Sequence, residues 1–185
     1  MNRILQVMAL GLLALQLPAA GAGECRQSRD CVELGVLVSG EVAEVLVKQG
    51  AVVHKGELLL KLDETLFRAR VSAAESRLQA DEAQLRQAER ELERARELYD
   101  RTLLSDYELQ EAEVAQLQAK ARRTEAWSRL VEARQDLQRA RLHAPFTGRV
   151  SRVFAYPGQV LQNSQRVRPL LELVREAENS EKGPP

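Results

Sequence analysis

The chain has 185 residues, with 27 Lys and Arg balanced by 27 Asp and Glu, so it lacks the basic excess of a nucleic-acid binder. Aromatic residues are 4% of the chain, too few for a base-stacking platform. With two cysteines, two histidines and methionines only at positions 1 and 8, no ligand set for zinc or soft copper stands out.

Residues 1–22 read as a secretory signal peptide. Arg3 supplies the positive start, Ile4 to Leu17 an apolar run, and Ala20-Gly21-Ala22 the small-x-small site for cleavage after Ala22. The alternative is an uncleaved membrane anchor, for which the run is short of the roughly 20 residues a span needs. Export predicts an oxidising compartment, so Cys25 and Cys31 are expected to form a disulfide within the segment 23–34. The spacing is not Cys-x-x-Cys and no histidine lies near, which argues against a redox or metal role.

A repeat follows. Ser39 to Val52 matches Thr147 to Val160 in the pattern [ST]-G-x-V-x-x-V-x-[VA]-x-x-G-x-V, at a constant offset of 108 residues. Each copy runs on to an apolar strand, Leu58–Leu62 and Leu170–Val174. Neither half (35–63 or 142–174) is long enough to bury a core alone, so the two are expected to close one small barrel or sandwich.

Between them, residues 57–144 contain neither Gly nor Pro, the strongest breakers of regular structure. Val71, Leu78, Leu85, Leu92 and Tyr99 recur every seven residues, with Ala74, Asp81, Ala88, Ala95 and Thr102 three positions on. On the return, Ala112, Ala119, Ala126, Ala133 and Ala140 keep the same period, joined by Leu130 and Leu137. This is the seam of two closely packed antiparallel helices. Val114, Leu117 and Ala121 predict a shifted register near the turn. The first helix is expected over about 64–101 with Asp63 as N-cap, the second over about 105–141. Ser105 and Glu108 form a capping box at the turn, with Leu104 and Leu109 as its hydrophobic staple. Charges such as Glu82–Arg86, Glu97–Arg101 and Glu125–Arg129 read as a solvated helix face. His54 and His143 have no catalytic or metal-ligand spacing around them, so no catalytic, metal or cofactor residues are assigned and no enzyme is expected. The fold class is α+β: a β-barrel-sandwich split by an α-helical coiled-coil hairpin over 64–141, with a polar tail, 175–185, expected to be disordered.

Four stretches carry a family resemblance: Ser39-Gly40-x-Val42-x-x-Val45, Gly50-x-Val52-x-x-x-Gly56, Lys61-Leu62-Asp63, and Ala144-Pro145-Phe146-x-Gly148-x-Val150 directly after the coiled coil. Over about 35–174 the sequence resembles the periplasmic adaptors, also called membrane fusion proteins or the HlyD-like family. The resemblance implies a lipoyl/biotinyl-like β domain split by the hairpin, a periplasmic location, and a ring of identical subunits. It also implies a non-enzymatic role in tripartite efflux or type I secretion. The partners would be an inner-membrane ABC or RND-type transporter and a TolC-type outer-membrane channel, with or without a second adaptor. Efflux adaptors of the family carry Arg-x3-Leu-x6-Ser at the hairpin tip, a spacing met here by Arg94, Leu98 and Ser105, which are therefore the expected channel contacts. Many members continue into a β-barrel and a membrane-proximal domain after the second lipoyl half; here residues 175–185 follow. The lipoyl resemblance does not bring its cofactor, because the hairpin replaces the turn that presents the modified lysine; Lys48, Lys55 and Lys61 read as surface lysines. Two other readings stand beside the adaptor: a free-standing periplasmic coiled-coil scaffold, and a biotinyl or lipoyl carrier domain.

Overall fold

The computed structural model describes residues 30–162 and 167–175. The expected signal peptide, Cys25 and residues 176–185 lie outside the described residues.

The repeat becomes two four-stranded antiparallel sheets. Before the hairpin come β1 (Cys31–Leu34), β2 (Gly40–Val45), β3 (Val52–Val53) and β4 (Leu58–Leu62); after it come β5 (Arg141–His143), β6 (Gly148–Val153), β7 (Val160–Leu161) and β8 (Leu171–Arg175). One sheet has the order β1-β8-β6-β3, the other β5-β4-β2-β7. Each half thus lends strands to the other's sheet, and swapping equivalent strands converts one order into the other. The pairing repeats to the residue: Gly40 faces Leu161 as Gly148 faces Val53. Both long pairs carry a bulge at the same place, between Val42 and Glu44 and between Val150 and Arg152. The turns repeat as well. Gly50 and Gly158 have φ of 85° and 83°, a conformation that costs a side-chain-bearing residue energy.

One core lies between the sheets. Val42, Leu60, Leu62, Val150, Leu171 and Leu173 are all buried in it, contributed by both halves. Full burial of each such side chain is worth about 1.5–3 kcal/mol. Val45 and Val153 pack against this core but are only partly buried. β1 starts at Cys31 and pairs with β8, so the paired strands begin inside the segment read as an N-terminal extension.

The hairpin consists of α1 (Thr65–Asp100) and α2 (Asp106–Arg139). At 1.5 Å per residue these arms are about 50–55 Å long. Asp63 caps α1 through its side chain, Oδ1 accepting from the Thr65 amide at 2.9 Å, and this bond holds the Asp63 carboxyl below its ordinary pKa. α2 ends two residues before the expected 141, because Arg141 already pairs with Lys61 in β5. The antiparallel register is marked by pairs across the seam: Glu75–Arg134 at 2.8 Å, Glu82–Arg123 at 3.4 Å and Arg96–Glu113 at 3.5 Å. Glu125–Arg129 forms as expected at 2.6 Å, whereas Glu82 reaches across to Arg123 rather than along α1 to Arg86.

Three features of the seam differ from the sequence reading. Asp81 occupies its small-residue position but is 2% exposed; Oδ2 accepts from Arg77 Nε at 2.9 Å and Oδ1 has no partner. Thr102 is not in the seam but beyond the end of α1, with a left-handed φ of 61°. The register does not shift near the turn: Gln116 and Arg123 alternate with Ala112, Ala119 and Ala126 on the inner face, leaving Val114, Leu117 and Ala121 exposed.

Candidate functional site: the hairpin tip and its root

The tip is built by two helix caps. At the end of α1, the Leu103 amide donates to the Leu98 carbonyl at 2.9 Å and the Thr102 amide to that of Tyr99 at 2.8 Å. This double bond closes a helix through a left-handed residue, a place usually held by glycine. At the start of α2, the Ser105 amide donates to Glu108 Oε2 at 2.9 Å and the Glu108 amide to Ser105 Oγ at 3.4 Å. The capping box is therefore complete, and its bonds from Ser105 depress the Glu108 pKa. Across the turn, the Asp106 carboxylate beside the Tyr99 hydroxyl raises the tyrosine's pKa.

The three expected contact residues fall in this region but differ in availability. Arg94 points out of α1, and its Nη1 bonds Glu91 Oε2 at 2.9 Å. Ser105 is exposed but already engaged as the cap. Leu98 is half-buried, so part of its side chain serves the packing of the hairpin. Sequence reasoning missed the apolar surface beside them: Leu103 is 70% exposed, Tyr107 72% and Leu117 62%. Extending the four-three alternation from the alanine ladder through Gln116 would have placed Val114 and Leu117 outside the seam.

The root fixes the direction of the hairpin. The Leu62 amide donates to the Ala140 carbonyl at 2.9 Å, and Phe67 and Ala140, one from each arm, are buried in the β core. Glu64, at the first turn of α1, takes a two-pronged contact from Arg141 in β5: Nε to Oε1 at 2.5 Å and Nη2 to Oε2 at 3.0 Å. Arg68 adds a bond to Oε2 at 2.6 Å. Hydrogen bonding by Arg141 is the main reason the Glu64 pKa falls to about 2. The open grooves of the region surround this root, one of them lined by Leu62, Asp63, Glu64, Arg68 and Arg141. Among the described residues no cluster of His, Cys, Asp and Glu could hold a metal ion. Nor is any described helix long and apolar enough to cross a membrane. Lys61 pairs with Glu44 at 3.1 Å, and Cys31, at the start of β1, is not a free thiol.

This architecture has known counterparts. No curated protein matches the chain. Among solved structures, a MacA-MexA chimeric protein containing the Pseudomonas aeruginosa MexA α-hairpin domain is 25% identical, with a TM-score of 0.50 over 80% of this chain and 47% of that one. The membrane fusion protein Spr0693 from Streptococcus pneumoniae R6 is 16% identical, with a TM-score of 0.60 over 80% of this chain and 62% of that one. ZneB from Cupriavidus metallidurans is 19% identical, with a TM-score of 0.59 over the same shares. The chain thus spans about half to three-fifths of the length of these structures. The barrel-sandwich hybrid domain of the RND membrane fusion proteins matches residues 30–171, more than half of the chain, and the chain belongs to that family.

Proposed function

We propose that the chain is a non-enzymatic periplasmic adaptor subunit of an efflux or type I secretion assembly. It links an inner-membrane ABC or RND-type transporter to a TolC-type outer-membrane channel, acts as a ring of identical subunits, and works alone or beside a second adaptor. The observation that carries this reading is mechanical. A single β core clamps both roots of a hairpin about 50 Å long, through Phe67, Ala140 and the Glu64–Arg141 pair, so the tip is a capped turn held far from its base. Such an arm suits docking at a distance and offers no enclosed reaction site.

Arg94, Leu98 and Ser105 are the proposed channel contacts. Arg94→Glu reverses an exposed charge outside the seam. Ser105→Asp retains a good N-cap while changing the surface presented. Leu98→Ala is less informative, because truncating a half-buried leucine also loosens the hairpin. Capture of a TolC-type channel by in-cell cross-linking should fall with Arg94→Glu and Ser105→Asp while the melting temperature holds. Undiminished capture with both removes the tip contact. Failure of the unaltered chain to capture any channel would instead favour a free-standing coiled-coil scaffold.

A further inference from the structure

The outer face of α2 near the tip carries an apolar stripe with no partner in the chain. Tyr107, Val114 and Ala121 follow one another at seven-residue spacing, with Leu117 beside them, so they share one side of the helix. Tyr107 is 72% exposed, Val114 46% and Leu117 62%. Only Ala119, Ala126 and Leu130 of α2 are fully buried, all on the side facing α1. The stripe is about 20 Å long.

Charge along this face is ordered. Asp106 and Glu111 lie on the tip side of its centre, Lys120 and Arg122 on the root side. Glu111, Lys120 and Arg122 enter no ion pair among the described residues. A second helix with the same charge order, laid parallel, would set acid against acid and base against base. Laid antiparallel, it sets Glu111 against Arg122 of the second helix and brings Val114 onto its Leu117, with the apolar stripe closed between them. The complement this surface asks for is therefore present on the chain itself.

We infer that the α2 outer face is a self-docking surface, through which two copies pair antiparallel around a two-fold axis between Val114 and Leu117, their hairpins overlapping at the tips. A two-fold contact uses the same patch on both partners, which is what this charge order permits. The overlap covers less area than a standard stable interface, so the pairing is weak, with a Kd on the order of 10–100 μM. It is independent of the proposed channel contact, which Arg94→Glu tests separately.

Sedimentation velocity of the purified full chain from about 1 to 300 μM should show a reversible mass increase over the range expected for a weak interface. Leu117→Glu places charge at an exposed site, so folding is retained while association weakens about tenfold or more. Arg122→Glu and Glu111→Lys should each weaken it by roughly three- to tenfold, and the two together should restore it, because the facing pair is only exchanged. Nitroxide labels at Gln118 should lie within about 20 Å of each other in the pair, whereas labels at Leu103 should be about 40 Å apart. A mass that never rises with concentration overturns the proposal. So does an association indifferent to these substitutions, as in a ring built through other faces, or one that brings the Leu103 labels together, as parallel packing would.

Discussion

Gly40 and Gly148 are equivalent in the repeat, yet adding one methyl group to each should have different consequences. Neither has a positive φ, so alanine is conformationally acceptable at both. The gain from restricting the unfolded chain, about 0.4–1 kcal/mol, is common to the two. At Gly40 the new Cβ would meet Leu62 Cδ1 at 3.2 Å and Phe67 Cε2 at 3.7 Å. Those are side-chain atoms that give way by small rotations, so Gly40→Ala should change stability by no more than ~1 kcal/mol in either direction. At Gly148 the Cβ would press into the backbone of β8, against the Val174 carbonyl oxygen and 3.1 Å from its carbon, with Phe146 Cε2 at 3.3 Å. A strand cannot rotate out of the way. It must move off β6, losing ladder bonds worth about 0.5–1.5 kcal/mol each in addition to ~1–3 kcal/mol of overpacking. Gly148→Ala should therefore cost ~2–4 kcal/mol, which for a chain of this size lowers the melting temperature by roughly 5–15 °C. Scanning calorimetry of the two variants and the parent reads this directly. Equal melting temperatures for the two variants, or a larger loss for Gly40→Ala, would refute the argument that strand approach at Gly148 limits the fold.

Val42→Asp and Val150→Asp should each cost several kcal/mol, because both sites are buried in the shared core, while Val45→Asp and Val153→Asp should cost less; urea unfolding gives the ranking. Glu64→Gln should lower stability by ~1–2 kcal/mol at neutral pH, since it weakens charge-assisted bonds to Arg141 and Arg68. Its folded pKa of about 2 lies below the ordinary value of 4.5, so this contribution is present above pH 4.5 and is lost as pH falls toward 2; the parent and Glu64→Gln should converge across that window. We propose that the disulfide joins Cys25 to Cys31, so thiol titration of denatured protein from an oxidising compartment should find no free cysteine, and two reactive thiols would defeat the assignment.

The sequence alone determined the repeat, the hairpin and its turn. Each is written in local spacing: a 108-residue offset, a seven-residue ladder, and Ser105 three residues before Glu108. These signals survive without tertiary context because helix periodicity and capping act within a few residues of chain. Tertiary structure decided what depends on distant residues meeting. The exchange of β3 and β7 between the halves' sheets follows from closing one core, and no pattern within either half encodes it. The pairing of β1 with β8 was hidden because Cys31–Leu34 is short and mostly exposed, with little apolar alternation to announce a strand. The Glu64–Arg141 contact joins residues 77 apart, brought together only when both arms leave the same sheet. Near the tip, hydrophobicity misdirected the seam. Packing against α1 selects the inner face by position, so Gln116 and Arg123 face inward and Val114 and Leu117 remain outside. The direction in which a helix side chain points is fixed by the neighbour that the rest of the fold supplies, and composition could not specify that neighbour.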